Sequence, residues 1–226
     1  MGALEHASIF SREMKGRAQA QFDAWAGAYD RSILNHFLFR PSYLTLMEEV
    51  ARWYGEHLRA FRVLDVGSGT GTMAGLLARS PWPVRAVGLD YAARMCAAAD
   101  EKARLAGHNQ RACFVNGDSE HLPFADGAFD LITCSNSFHH YPHQRAVVAE
   151  MNRLLAPRGR LIIIDGFRDC VIGWVVFDVI INHIEKQVHH ASWPTMHEHF
   201  EEAGFRNIRR RKFNFLFPAF ATIGDK

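Results

Sequence analysis

The feature that most constrains the fold of this chain is an alternation of short β-rich runs with longer helical patterns between residues 62 and 166. The first and last runs are apolar at consecutive positions, which is typical of strands covered on both faces. Such strand–helix–strand alternation predicts a parallel sheet with helices on both faces. The predicted strands are Arg62–Val66, Arg85–Asp90, Cys113–Asp118, Phe129–Ser135 and Arg160–Gly166, and the helices between them are Thr72–Arg79, Ala92–Ala106 and His143–Leu155.

The segments that flank this alternation carry other patterns. Residues 1–58 show helical patterns alone, and residues 167–204 form a second helical insertion. In that insertion Thr195 and Glu198 have the spacing of a capping box, and Gly204 supplies a helix stop. Apolar residues recur at helical spacing in the first segment at Leu46, Met47, Val50, Trp53, Tyr54 and Leu58.

The C-terminal residues predict a β-hairpin. Two strand-like runs, 206–213 and 217–224, are joined at Pro218 and are too close together for a helical crossover, so they are expected to pair antiparallel. The chain is therefore expected to be a single α/β domain, a Rossmann-like doubly wound sheet of five parallel strands plus a C-terminal antiparallel hairpin. Its expected parts are an N-terminal helical cap (1–58), a ligand-binding core (59–166), a helical lid (167–204) and the hairpin (205–226).

Composition narrows the class of protein. The chain has 226 residues, 48% of them hydrophobic and 22% charged, which excludes global disorder and collagen-like repeats. Its net charge of +2 gives no overall field to attract nucleic acid. The four cysteines form no C-x-x-C pair, no secretory leader is recognised, and the longest apolar stretch, Val171–Ile184, is interrupted by Asp178 and Asn182. We therefore expect a soluble cytoplasmic protein with reduced thiols.

A glycine-rich loop follows the first predicted strand and opens a helix. It reads G-x-G-x-G, and Thr72 stands where the dinucleotide fingerprint has its third glycine. The Gly-Lys-Ser/Thr of the Walker pattern is also missing. Asp65 adjoins the loop, and its charge would repel a diphosphate but suit a cationic amino group.

Two further carboxylates follow the next strands of the predicted sheet. Asp90 lies 23 residues beyond Gly67, where an acidic side chain can accept hydrogen bonds from ribose hydroxyls. Asp118 ends the third strand and could accept a hydrogen bond from the exocyclic amine of adenine. With Asp65 they predict a site for an adenosine that carries an ammonium group and no phosphates. The alternative is that each aspartate only caps a turn or helix.

These residues resemble the class I S-adenosylmethionine-dependent methyltransferases, most of all the branch that includes the ubiquinone/menaquinone biosynthesis methyltransferases. The quinone enzymes usually have an Arg-Asn pair after strand four, where this chain has SNSFHHY, and this difference disfavours quinone-ring methylation. The segments that carry the resemblance are FDAWAGAYD (22–30), VLDVGSGTG (63–71), GLDYAARM (88–95), GDSEHLPF (117–124), FDLITCSNSFHHY (129–141) and LLAPRGRLIIID (154–165).

The resemblance implies S-adenosylmethionine as cofactor, S-adenosylhomocysteine as product, and a role for each matching residue. Asp65 would lie near the amino group of the methionine part, and Tyr29 would cover the sulfonium. The adenosyl part would contact Asp90 at the ribose and Asp118 and Ser119 at the adenine. The residues implied to contact the methionine part are Gly67, Gly69, Gly71 and Ser135, and Ser68 and Tyr91 are implied to bind the cofactor as well.

Methyl transfer needs alignment of nucleophile, methyl carbon and sulfur, and a base where the nucleophile carries a proton. His140 is predicted as base or substrate anchor, His139 as the less favoured choice, and Asn136 as an orienting hydrogen-bond donor. The alternative is that both histidines pack under the helical cap and only shape the pocket.

Other residues predict partners less specifically. Five histidines crowd the second insertion without H-x-x-x-H spacing or a nearby cysteine, so no metal site is predicted. The basic run 209–212 would alternate between two faces of a strand, so nucleic acid is not an expected substrate. The apolar helix at 171–184 is open to four interpretations: a hydrophobic pocket wall, a peripheral membrane contact, a homodimer interface or simple packing. The histidines are His183, His189, His190, His197 and His199.

The sequence thus predicts an enzyme that transfers a methyl group from S-adenosylmethionine to an O, N or C nucleophile of a small, hydrophobic or aromatic acceptor. Three alternatives stay open at this point. They are a nicotinamide-dependent oxidoreductase, a catalytically silent adenosyl-binding module, and an enzyme that uses the same cofactor for another reaction.

Overall fold

The computed structural model describes residues 33–166, 190–213 and 218–226, and within them the chain forms one seven-stranded sheet. The strand order is β3-β2-β1-β4-β5-β7-β6. The strands are β1 (Phe61–Val66), β2 (Val84–Asp90), β3 (Ala112–Asn116), β4 (Phe129–Ser135), β5 (Leu155–Gly166), β6 (Arg206–Phe213) and β7 (Ala219–Asp225). The helices are α1 (Ile33–His57), α2 (Thr72–Arg79), α3 (Ala93–Leu105), α4 (Gln144–Leu154) and α5 (Trp193–Glu202).

The pairing of the strands confirms the predicted fold class. Strands β1 to β5 pair parallel, whereas β7 pairs antiparallel with both β5 and β6. The chain order of the strands reverses between β1 and β4, and this reversal opens a crevice at the carboxyl ends of the strands. The crevice determines where a ligand site can form.

Helices cover both faces of the sheet, as the apolar runs in the strands require. On one face, Leu46, Val50 and Trp53 of α1 are fully buried in a cluster that also contains residues of α2 and β1. On the other face, Met151 of α4 and Phe200 of α5 belong to the second buried cluster. The helical pattern in the first segment therefore reflects real core packing along the C-terminal half of α1.

Four local expectations differ from the structure. Leu58 is 73% exposed, because α1 ends at His57 and Leu58 adopts a φ of 49°. Strand β5 begins at Leu155 rather than Arg160, with a register shift opposite Phe129 and Leu131 of β4. Strand β3 ends at Asn116, which leaves Asp118 in the following loop.

The fourth difference concerns the start of α5. The Thr195–Glu198 capping box is wrong, since Ser192 is the N-cap and its Oγ accepts a hydrogen bond from the Thr195 backbone N–H. Pro194 in the first turn fits that earlier start, because its missing N–H costs nothing there. The stop at Gly204 is confirmed: its φ is +90°, and the Phe205 N–H bonds to the Phe200 carbonyl.

Several expectations fall on residues that lie outside the described ranges. These include Tyr29, most of the lid, and the helix at 171–184 on which the membrane and homodimer interpretations depend. Among the helices that are described, none has the length and apolar character to cross a bilayer.

Candidate active site

A pocket lies at the carboxyl ends of the parallel strands, at the reversal between β1 and β4. It encloses about 1000 Å³, part of it open to solvent, which is the scale of a small-molecule site. Ten of the residues predicted from the sequence line it: Gly67, Ser68, Gly69, Asp90, Tyr91, Asp118, Ser119, Ser135, Asn136 and His140. Three other predicted residues, Asp65, Gly71 and His139, are not among the lining residues.

The glycines of the loop after β1 have different tasks. Gly69 lines the pocket with a φ of +52°, and a Cβ built on it would meet no atom within 4 Å, so the backbone there is open to a ligand. Gly71 caps α2 with a φ of +74°, and a Cβ there would lie 2.6 Å from the Phe114 ring and 2.9 Å from the Ala99 Cβ. Gly71 therefore allows close packing between elements behind the loop.

Asp90 ties the glycine loop to the start of α3. Its Oδ2 accepts a 2.8 Å hydrogen bond from the Gly69 N–H, and its Oδ1 accepts one of 2.9 Å from the Ala92 N–H. Asp118 Oδ1 accepts a 3.0 Å hydrogen bond from the Glu120 N–H in the loop after β3. The turn-capping alternative is thus realised for both residues, yet both carboxylates also belong to the pocket wall.

Asp65 lies behind the pocket. Its side chain is buried, and its Oδ1 accepts a 2.7 Å hydrogen bond from the Thr133 hydroxyl of β4. Burial raises the pKa of Asp65 to about 7, with the Thr133 hydrogen bond opposing the rise and the charge of Asp90 adding to it. Its contact with an ammonium group stays a prediction, and near neutral pH the carboxyl group is poised to gain or lose a proton.

The turn after β4 contacts α1 beside the pocket through Asn136. Asn136 has a φ of +54°, a conformation that asparagine tolerates better than most side chains. Its backbone N–H donates to the Ile164 carbonyl at 2.8 Å, and its side-chain Nδ2 donates to Ser135 Oγ at 2.9 Å. Its Oδ1 accepts a 3.4 Å hydrogen bond from Ser42 of α1. The amide of Asn136 is therefore oriented by contacts on both sides.

The two adjacent histidines differ in environment. His140 lines the pocket, whereas His139 is buried and its Nδ1 lies 2.6 Å from Asp165 Oδ1 at the end of β5. Burial lowers the pKa of His140 well below its ordinary value, and the neighbouring His139 lowers it further. Burial alone would raise the pKa of Asp165, but His139 and His190 reverse this and hold it well below the usual range. His140 is thus neutral and Asp165 ionised near pH 7.

Sequence reasoning missed other lining residues, among them two aromatic side chains of α1. Phe39 and Tyr43 are four positions apart, so they share one face of the helix, but that pattern equally suits core packing. Tyr141 ends the segment FDLITCSNSFHHY and had no predicted role of its own. Its hydroxyl lies 3.2 Å from Ser137 Oγ, and burial raises its pKa well above the usual value. The others include Thr70, Met95 and Ser137.

The chemistry of the wall fits an adenosyl sulfonium better than a dinucleotide. Among the described lining residues there are two carboxylates, Asp90 and Asp118, and no lysine or arginine that could balance a diphosphate. The open space over Gly69 is where a ligand could approach the backbone. The sheet order, the hairpin and this pocket agree with the resemblance to the class I S-adenosylmethionine-dependent methyltransferases.

Comparison with known proteins agrees. The family described as "Methyltransferase domain" matches residues 64–163. The chain is 36% identical over 146 residues to "Uncharacterized methyltransferase YcgJ" of Bacillus subtilis, covering 63% of this chain and 53% of that protein. It is 38% identical over 104 residues to a demethylmenaquinone methyltransferase of Thermus thermophilus, covering 46% of each chain. The matches thus span about half the length of these two curated relatives.

A solved structure shows the same fold. The crystal structure of a SAM-dependent methyltransferase from Aquifex aeolicus superposes with a TM-score of 0.61 at 22% identity, covering 79% of this chain and 88% of that one. Residues 64–163 thus carry a methyltransferase domain, and the chain is similar to members of the branch that includes the ubiquinone/menaquinone biosynthesis enzymes. The family implies S-adenosylmethionine as cofactor, and nothing in the comparisons supports the nicotinamide-dependent alternative.

Proposed function

We propose that this protein transfers a methyl group from S-adenosylmethionine to a small hydrophobic or aromatic acceptor that binds between α1 and the turn after β4. The observation that carries the proposal is the composition of one continuous wall. Phe39 and Tyr43 offer aromatic surface to an acceptor, and Asn136 and His140 of the same pocket offer polar groups to orient it.

The proposed cofactor end of the pocket is the glycine loop with the ends of β2 and β3. Bound S-adenosylmethionine supplies an electrophilic methyl group on a sulfonium. The carboxylate of Asp90 is held by two backbone N–H groups and is proposed to accept hydrogen bonds from the ribose hydroxyls, and Asp118 with Ser119 is proposed to contact the adenine. Asp65 is proposed to balance the charge of the amino group from behind the loop.

The proposed acceptor end depends on His140. Because its pKa is held well below the ordinary value, its imidazole carries a lone pair near pH 7 and can accept a hydrogen bond or a proton from the nucleophile. A low pKa also makes it a weak base, so it suits a nucleophile whose own proton is acidic, such as a phenol or an enol. We therefore favour an oxygen nucleophile on an aromatic acceptor.

The test is methyl transfer from isotopically labelled S-adenosylmethionine to a panel of phenols, quinols, amines and lipids, with products identified by mass spectrometry. Phenols are expected to be labelled by the wild type, and His140→Ala is expected to reduce turnover by roughly 100-fold or more. The affinity of the His140→Ala variant for S-adenosylhomocysteine should stay close to that of the wild type. Unchanged turnover in His140→Ala would remove His140 from the mechanism, and tight cofactor binding without transfer to any acceptor would leave a silent adenosyl-binding module.

A further inference from the structure

Behind His140 lies a buried group of three side chains that come from distant parts of the chain. His139 stands in the 3₁₀ turn after β4, Asp165 near the end of β5, and His190 just before α5. All three are buried. Neither the pocket wall nor the sequence motifs include His190, so its presence here needs a separate explanation.

Asp165 is the centre of this group. Its Oδ1 lies 2.6 Å from His139 Nδ1 and 3.5 Å from His190 Nδ1, and it also accepts a 2.7 Å hydrogen bond from the Gly166 N–H. The backbone contact fixes the carboxylate, so the two imidazoles take their orientation from it. His139 is within hydrogen-bond distance of this carboxylate and His190 is in polar contact with it at 3.5 Å, so removing His190 takes a polar neighbour away from a buried charge.

The imidazole ring of His139 lies close to those of both His190 and His140. The His139 ring centroid lies 4.4 Å from that of His190 and 4.1 Å from that of His140. His139 therefore has one histidine near it on the core side and another near it on the pocket side. A change in the tilt of His139 would displace His140 at the wall.

We propose that His190 is a positioning residue that, through Asp165 and His139, fixes the orientation of His140 for methyl transfer. This rests on the proposed function, in which His140 contacts the acceptor. His190 does not line the pocket, so its effect is on turnover rather than on cofactor binding.

A bound metal ion is the alternative explanation for the clustering of these three side chains. The donor atoms of His139, Asp165 and His190 lie within 4.8 Å of one another. The 2.6 Å separation of His139 Nδ1 and Asp165 Oδ1 is, however, that of a hydrogen bond, since two ligands of one zinc ion lie roughly 3 Å apart or more. The geometry therefore favours a shared proton over a shared ion.

The test compares two variants of His190. His190→Asn keeps an N–H donor at the place of Nδ1, whereas His190→Phe keeps a ring of similar size without the donor. We expect His190→Phe to lower kcat roughly tenfold to 100-fold with an unchanged Kd for S-adenosylhomocysteine, and His190→Asn to retain most of the activity. His143→Phe is the matched control, because it removes an exposed histidine 3.0 Å from the Glu120 carboxylate.

A second readout is independent of turnover. The short, buried His139–Asp165 hydrogen bond should give a slowly exchanging, strongly downfield imidazole proton resonance in the wild type. This resonance should be shifted or lost in His190→Phe and restored in His190→Asn. If no acceptor is methylated, the proposed function fails. The resonance still tests whether His190 orients the His139–Asp165 hydrogen bond. An unaltered resonance and kcat in His190→Phe, or stoichiometric Zn²⁺ binding that His190→Phe abolishes, would overturn the proposal.

Discussion

Thr133 donates a 2.7 Å hydrogen bond to the buried carboxyl group of Asp65, from the strand adjacent to the one that carries Asp65. This contact partly offsets the burial that raises the pKa of Asp65 to about 7. The protein therefore holds a carboxyl group that can ionise at neutral pH directly behind the loop proposed to bind a cation.

The first prediction concerns ligand binding and pH. A cationic amino group near Asp65 favours the ionised carboxylate, so S-adenosylhomocysteine should bind more tightly above about pH 7 and release a proton on binding below it. Calorimetry in buffers of different ionisation enthalpy measures that proton. In Asp65→Asn this proton release should be absent; the same release in the variant would assign it to another group.

The second prediction concerns stability. Because the folded pKa of Asp65 lies above the unfolded value, the native state binds the extra proton between about pH 4 and pH 7, and stability should fall as pH rises through that window. The Asp65 contribution to this fall is at most about 4 kcal/mol. Urea unfolding of the wild type and Asp65→Asn across the window measures it, and parallel curves would contradict the assignment.

The third prediction separates two glycines of one loop. Gly71→Ala should lose about 2 to 4 kcal/mol of unfolding free energy, since the new methyl group would collide with Phe114 and Ala99 at a strained φ. Gly69→Ala meets no neighbouring atom and should lose only about 1 kcal/mol, but its methyl group would occupy pocket space and weaken S-adenosylhomocysteine binding. Denaturation and binding of both variants test this, and equal effects on both properties would argue against it.

The fourth prediction concerns the ion pair between the buried Glu49 of α1 and the partly exposed Arg209 of β6. Glu49 is 1% exposed and accepts a 2.7 Å hydrogen bond from Arg209, with Arg52 and Arg211 farther away. Arg209→Met should cost about 2 to 4 kcal/mol, because it leaves the Glu49 charge buried with weaker partners. The double variant Glu49→Leu/Arg209→Met should recover much of this loss.

A surface pair serves as the control for the fourth prediction. Arg104 and Glu101 are both more than 60% exposed and 3.7 Å apart, so Arg104→Ala should change stability by about 0.5 kcal/mol or less. Chemical denaturation compares the wild type with the three variants, and a loss in Arg209→Met no larger than that in Arg104→Ala would show that the Glu49–Arg209 pair is dispensable.

The fifth prediction tests the corrected start of α5. Ser192→Ala should cost about 1 kcal/mol, because it removes the side-chain acceptor for the Thr195 N–H. Glu198→Ala should be nearly neutral, since Glu198 does not serve a capping box at this helix start. Thermal unfolding of the two variants decides between Ser192 and Thr195 as the cap.

The sequence predicted well those features that depend on neighbours along the chain. Apolar runs located β1 to β5, and Gly67 and Gly69 of the G-x-G-x-G loop line the pocket at the ends of these strands. The two wrong predictions at helix ends also have local causes. Ser192, three residues before Thr195, is an equally suitable N-cap residue, and Leu58 fits the apolar pattern although it lies one residue beyond the end of α1.

Features that depend on depth or on distant contacts could not be predicted in this way. No pattern distinguishes a carboxylate behind the wall, such as Asp65, from one in the wall, such as Asp90. The contact of Asp165 with His190 joins residues 25 positions apart in the chain, and it appears only when the ends of the strands are placed in space.

Helix α1 divides its length between two tasks. Its C-terminal half, with Leu46, Val50 and Trp53, is embedded in the core, while Phe39 and Tyr43 near its beginning line the pocket. Asp90 ends β2 and Asp118 follows β3, both on the other side of the reversal in strand order. Neither residue belongs to α1. The first turns of this helix, and with them the proposed acceptor contacts, can therefore diverge between relatives while the proposed adenosyl site is inherited unaltered.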